Sequence, residues 1–169
     1  MSGYTIRPAR ADDSRFIYEL SRDPRIRAMS TRSDEFTFED HERWYAEKRS
    51  NGLTAMWIME APHGVPVGQV RYGKVLLPGY PGTGIDWVTR TAEIAISIVP
   101  LHWRKGHALR LLQGTMLLAC EWLKVDTLVA LVLRENGPSR NLFRRAGFRY
   151  VGVECRMGLA HARYEWRMQ

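Results

Sequence analysis

The stretch AEIAISIVPLHWRKGHALRLL, from Ala92 to Leu112, constrains the fold more than any other part of the chain. It opens as an alternating β-branched run, from Glu93 through Ile94, Ile96 and Ile98, which reads as a strand. Pro100 ends the strand because it has no backbone donor and fixes its own φ. A basic, small-residue turn follows, Arg104-Lys105-Gly106-His107-Ala108, and then a helix-period apolar row at Leu109, Leu112, Met116, Ala119 and Leu123. Strand, glycine turn and helix in this order aim free backbone N–H groups and the positive end of a helix dipole at an anion. Gly106 and Ala108 lack the bulk to keep a phosphate off the main chain, and Arg104 and Lys105 add charge beside it. The outline is a pyrophosphate cradle.

The lysine P-loop is excluded, since Gly-Lys-Ser/Thr is absent at the required spacing, and so is the three-glycine dinucleotide fingerprint. The segment resembles the acetyl-CoA loop of the GCN5-related N-acetyltransferases, Arg/Gln-x-x-Gly-x-Gly/Ala. It departs at the first position, where Trp103 stands and the arginine comes one residue later. A second segment, RENGPSRNLFRRAGF from Arg134 to Phe148, follows an apolar strand at Leu128 to Leu133. It resembles the same family's later motif, with Asn136, Ser139, Phe143 and Gly147-Phe148 on its positions. The likeness extends over nearly the whole chain, from IRPARADD to the closing strand.

The resemblance implies an α/β fold with a mixed, mostly antiparallel central sheet, splayed central strands and helices on both faces. It also implies acetyl-CoA as the cofactor. Arg104, Lys105, Gly106, His107 and Ala108 would hold the pyrophosphate, and Asn136 and Ser139 the pantetheine or the adenine-side phosphates. Ile98 and Val99 would pair through their backbone with pantetheine amides, and a backbone N–H there would face the thioester carbonyl. Glu93 is the expected base, on one strand face with Ala95, Ser97 and Val99, its pKa raised by partial burial. Phe143, also expected in the cofactor site, replaces the family's usual tyrosine acid. That role is then empty or moves, with Tyr150 and Tyr72 as candidates by residue type alone. A thiol of pKa about 8.5 is a tolerable leaving group without help.

On the acceptor side, the segments IRPARADD, SRDPRIRAMS, FTFEDHERWYAEK and PVGQVRY resemble amino-sugar acetyltransferases of nucleotide-sugar (pseudaminic acid) pathways. By that likeness Ser30, His41, Trp44, Tyr45 and Arg71 line the acceptor pocket, with aromatics under a sugar and the arginine on a diphosphate. Trp44 and Tyr45 on an amphipathic helix read equally well as core. Three functions stay open: acetylation of a small-molecule amine, acetylation of protein N-termini or lysines, and non-catalytic acyl-CoA binding.

A chain of 169 residues, 45% of them hydrophobic, fits one domain with a sizeable core. The net charge of +7 does not bring an RNA-binding signature or zinc finger with it, and many charges alternate with acids on helix-like faces. Nucleic acid is therefore not the expected partner; a basic surface also suits coenzyme A. Cys120 and Cys155 make neither a disulfide framework nor a metal cluster, so no metal is expected. No run is long enough to span a membrane and no signal-peptide core opens the sequence, which predicts a cytoplasmic protein.

In chain order the pattern predicts a strand at Tyr4 to Pro8, a helix after Asp12-Asp13, and a helix from Thr37 to Asn51-Gly52. Strands follow at Thr54 to Glu60 and Val65 to Tyr72. Lys74 to Arg90, rich in glycine and proline, reads as a long loop anchored by Leu76, Leu77, Tyr80, Ile85 and Trp87. Such a loop acts as a lid, a packing arm or a homodimer contact.

Overall fold

The computed structural model describes residues 3–30, 35–77 and 87–168. The strands are β1 (Thr5–Pro8), β2 (Thr54–Ala61), β3 (Val65–Leu77), β4 (Trp87–Ile98), β5 (Thr127–Leu133), β6 (Arg149–Arg156) and β7 (Leu159–Arg167). The helices are α1 (Ser14–Arg22), α2 (Pro24–Arg27), α3 (Phe38–Ser50), α4 (His107–Leu123) and α5 (Gly137–Arg145). The described strands form one seven-stranded sheet in the order β1-β2-β3-β4-β5-β7-β6. Every neighbouring pair is antiparallel except β4 with β5. This is the mixed, mostly antiparallel sheet that the resemblance implies.

Alternation along the strands sorts side chains onto two faces. Trp57, Val70, Tyr72, Ala92, Ile94, Leu128 and Ala130 enter one core with Leu111, Leu112, Met116 and Leu123 of α4 and Phe143 of α5. Tyr72 closes that layer with a 2.8 Å hydrogen bond between its hydroxyl and Thr115 of α4. Met56 and Ile58 point the other way, into a smaller cluster with Ile17 of α1 and Tyr45 of α3. Thr37 caps α3 as its spacing predicts: its Oγ1 accepts from Asp40 N at 3.1 Å, and Asp40 returns bonds to Thr37. Asp13 does not cap α1 with its side chain. It takes two hydrogen bonds from Arg7, at 2.7 and 2.8 Å, tying β1 to the turn before the helix.

The stretch from Lys74 to Arg90 departs from its predicted loop. β3 and β4 continue into it as an antiparallel pair, with Leu76 opposite Val88 and Leu77 opposite Trp87. Val75, Leu76 and Val88 favour strand, and the glycines and prolines are confined to positions 78–84 between the two strands. Tyr80 and Ile85 lie outside the described residues.

The central parallel pair positions the site. β4 and β5 are in register only from Thr91 to Glu93 against Thr127 to Val129. Beyond Glu93, β4 stays with β3 as far as Ile98, while Ala130 to Leu133 of β5 pair with β7 alone. The two strands part there and leave a wedge open toward their C-terminal ends.

Candidate active site at the β4–β5 wedge

The β4–α4 turn carries the first part of the site. Gly106 caps α4 with φ 80°, and Arg104 is also left-handed at φ 59°. The first α4-type hydrogen bond runs from Arg110 N to Gly106 O at 3.0 Å. The N–H groups before Arg110 therefore have no carbonyl within the helix, and the dipole adds positive character there. A Cβ on Gly106 would meet no protein atom within 4 Å, so the space above it is open. Arg104 and Lys105 are exposed beside it. The His107 ring is buried and packs on Tyr4 at a tilt, with centroids 4.1 Å apart, which leaves only its main chain facing the turn. Burial, and then the neighbouring His102, Lys105 and Arg110, lower its pKa, which favours the neutral ring.

The strand edge differs in detail from its expected role. Val99 N–H donates to Val67 O of β3 at 2.8 Å. It is turned away from the wedge, and alternation turns the main-chain groups of Ile96 and Ile98 toward it. The Ile98 carbonyl is already occupied, accepting from the Trp103 indole N–H at 2.6 Å. The Ile98 N–H and the Ile96 backbone are the groups left to face a pantetheine arm. Trp103, the residue that breaks the family pattern, thus ties the end of β4 to the turn. The sequence flagged its position without revealing this bond.

Glu93 stands where the strands part, at the last position of β4 in register with Val129 of β5. It is not isolated in an apolar pocket. Its Oε2 accepts from Arg156 Nη1 at 2.6 Å, and the two side chains are 37% and 42% exposed. Arg156 also donates through Nη2 to Glu154 at 2.9 Å, and Glu154 accepts from Arg163 at 2.7 Å. Sequence reasoning missed Arg156. It lies 63 positions from Glu93 on another strand, and no local pattern connects the two.

On the far side of the wedge, the Asn136 side chain caps α5, its Oδ1 accepting from Ser139 N at 3.1 Å. Phe143 is 3% exposed and packs against Phe148 and Tyr164 in the core. Its ring is a packing element here rather than a surface open to a ligand. Tyr72 is buried and bonded to Thr115, and its hydroxyl pKa rises mainly by desolvation, which removes it as an acid. Tyr150 is exposed and packs on Tyr164. Beside Asn136 a cleft of about 390 Å³ opens between Leu133, Arg134, Glu135, Arg140, Leu159 and Ala160. A larger groove of about 640 Å³, lined by Pro8, Trp57, Leu118 and Trp122, lies at the opposite end of α4 from Gly106 and plays no part in this site.

The residues expected to line the acceptor pocket divide. Arg71 is opposite Ala95 in the β3–β4 ladder, and Gly73 is opposite Glu93, so Arg71 shares the sheet face of Glu93. Its guanidinium lies 4.9 Å from the centroid of the Trp44 ring, and Trp44 is half-buried. Tyr45 is instead core, 2% exposed, with its hydroxyl donating to Arg10 O at 2.7 Å. His41 is 5% exposed among the rings of Tyr18, Phe36, Phe38, Trp44 and Tyr45. Desolvation lowers its pKa, and its Nε2 has no hydrogen-bond partner among the described residues. Both belong to the packing beneath the pocket because α3 turns them inward, a facing that residue type alone did not distinguish. Ser30 is exposed after α2, its N–H donating to Arg27 O at 3.0 Å. Among the described residues no three His, Cys, Asp or Glu side chains converge to hold a metal. No helix of the described chain is long and apolar enough to cross a membrane.

A search of curated protein sequences returns no match. Solved structures do. A spermidine N-acetyltransferase from Vibrio cholerae, crystallised with CoA and spermine, superposes with a TM-score of 0.79. It is 22% identical over 97% of this chain and 95% of its own. An N-acetyltransferase from Staphylococcus aureus superposes with a TM-score of 0.78 at 24% identity, covering 98% of this chain and 99% of its own. Residues 4–149 match the acetyltransferase (GNAT) domain. With that match spanning both halves of the wedge, the chain belongs to the GNAT family of acetyl-CoA-dependent N-acetyltransferases.

Proposed function

We propose that the protein acetylates the primary amine of a small molecule, with Glu93 receiving the proton that the acceptor ammonium must lose. The observation that carries this reading is the place of Glu93, at the apex of the wedge and on the sheet face shared with Arg71 and Ala95. Acetyl-CoA supplies an activated thioester. The protein supplies the α4 N-terminus for the pyrophosphate, with Arg104 and Lys105 beside it, and the Ile96 and Ile98 backbone for the pantetheine amides. Asn136 and Ser139 flank the far side, and an amine arriving from the α3 side meets Glu93 first. A nucleotide-linked amino sugar is the acceptor that the pairing of Trp44 with Arg71 favours, an aromatic platform beside a diphosphate-binding cation.

Glu93→Gln tests the base. It keeps the shape of the side chain and removes its basicity, so turnover near neutral pH should fall by roughly 10²–10⁴-fold, the usual range for a lost general base. Activity should return in part at high pH, where the free amine is abundant. A Glu93→Gln enzyme with the parent rate at every pH would move the proton to solvent or to another side chain.

A further inference from the structure

We propose that the acceptor carries an anionic group as well as its amine, and that this group takes Arg156 from Glu93 as the substrate docks. The inference rests on the reading of Glu93 given above. Arg156 is bonded to that carboxylate at 2.6 Å, and Arg71 stands on the same sheet face, diagonal to Glu93 in the β3–β4 ladder. The other carboxylate in reach of Arg156 is Glu154, which already holds both Arg156 and Arg163. A polyamine would bring further positive charge to a carboxylate that Arg156 already holds, and like charges at close range repel.

An amine with a phosphate or carboxylate meets the opposite situation. The Glu93–Arg156 pair is over a third exposed on both sides, so exchanging it for a substrate pair of the same charges carries little energetic penalty. The substrate ammonium replaces Arg156 on Glu93, and the substrate anion replaces Glu93 on Arg156. Both charges stay partnered throughout. Arg156 remains tethered by Glu154 through its second nitrogen, which keeps the guanidinium beside the site after it lets go of Glu93. Arginine suits this role because its planar fork can hold one carboxylate and offer its remaining donors to another oxyanion. A substrate without an anionic group has to compete with Arg156 for the same carboxylate.

Matched substrates test the exchange: glucosamine against glucosamine 6-phosphate, ethanolamine against phosphoethanolamine, and spermidine alone, each with acetyl-CoA and thiol release as the readout. The phosphorylated partner should have at least tenfold higher kcat/KM in each pair and should outrun spermidine. Arg156→Gln should collapse that ratio toward one, and Arg156→Lys should restore part of it. Spermidine as the best acceptor, or a ratio unmoved by Arg156→Gln, would overturn the proposal. Thiol release with none of these amines would count instead against small-molecule amine acetylation. Calorimetry on the CoA-bound protein then still decides the exchange, since equal affinity for glucosamine and its 6-phosphate would overturn it.

Discussion

In the proposed reading the two sides of the wedge hold their ligands with different parts of the chain. On the α4 side the proposed binding groups are main-chain N–H groups at a helix start and along a strand edge, with Arg104 and Lys105 adding charge, and the larger side chains nearby do other work. His107 packs on Tyr4, Trp103 ties down Ile98, and Phe143 fills the core. On the α3 side the proposed acceptor surface is made of side chains, Arg71, Trp44 and Glu93, with Trp44 packed on a cluster that holds Tyr45, Met56 and Ile58. A backbone site depends on φ and ψ and on what small residues leave open. A side-chain site depends on the packing that aims each group. Substitutions should therefore damage the two sides in different ways: on the α3 side through stability, and on the α4 side through affinity with the fold intact.

The largest effect that separates them is expected at Tyr45. Truncating a ring that is 2% exposed and bonded to Arg10 O removes both packing and a hydrogen bond. Tyr45→Ala should lower stability by about 3–5 kcal/mol, the usual loss for a buried aromatic. Tyr45→Phe should lose only about 1 kcal/mol. Denaturant melts of both variants check the contrast. A folded, fully stable Tyr45→Ala protein with a raised KM for the acceptor would return Tyr45 to the pocket wall and erase the distinction.

Gly106→Val probes the other side. The residue would need φ near 80° in a β-branched side chain, a strained conformation, and its methyls would fill the open space above the helix start. The strain should lower stability by about 1–3 kcal/mol without unfolding the chain, while affinity for acetyl-CoA falls by roughly 10- to 100-fold, which corresponds to about 1.4–2.8 kcal/mol of binding energy. Calorimetry with CoA reads the change directly. Unchanged affinity would make the turn an ordinary connection and leave the wedge without its phosphate end.

How much of this was legible follows the same division. The β4–α4 turn could be read because its requirements are local: a proline to stop a strand, a glycine to turn left-handed, and an apolar helix row immediately after. The sheet and its helices followed from alternation and capping, as the Thr37–Asp40 box shows. The splay between β4 and β5 came only from family likeness, since no residue of either strand announces where its pairing ends. His41 and Tyr45 were misplaced because residues three and four apart on a helix share a face whether that face meets a ligand or a core. The Glu93–Arg156 pair could not be read at all, because it joins two strands that are not neighbours in the sheet. The extension of β3 and β4 into a glycine- and proline-rich stretch was hidden by composition averaged across Lys74 to Arg90, where only the middle is turn-like.

The smallest expected effect, at Trp103, is the one that tests whether the backbone side needs any side chain. Its indole N–H donates to the Ile98 carbonyl, on the strand edge that faces the wedge. Two consequences of removing that bond oppose each other. Loss of the tie loosens the turn that presents Gly106, and a net hydrogen bond of about 1 kcal/mol corresponds to roughly fivefold in affinity. Release of the carbonyl, in contrast, gives a pantetheine amide an acceptor that the indole now holds. The ring is 42% exposed, so Trp103→Phe keeps most of the packing and deletes only the donor. Because the turn holds a non-glycine residue, Arg104, in the left-handed region, its shape is strained and depends on such ties. The weakening should therefore win, with KM for acetyl-CoA rising about fivefold and kcat nearly unchanged. Tighter binding in the Trp103→Phe protein would mean that the indole competes with the cofactor for Ile98, and that the main chain alone is enough to build this side of the site.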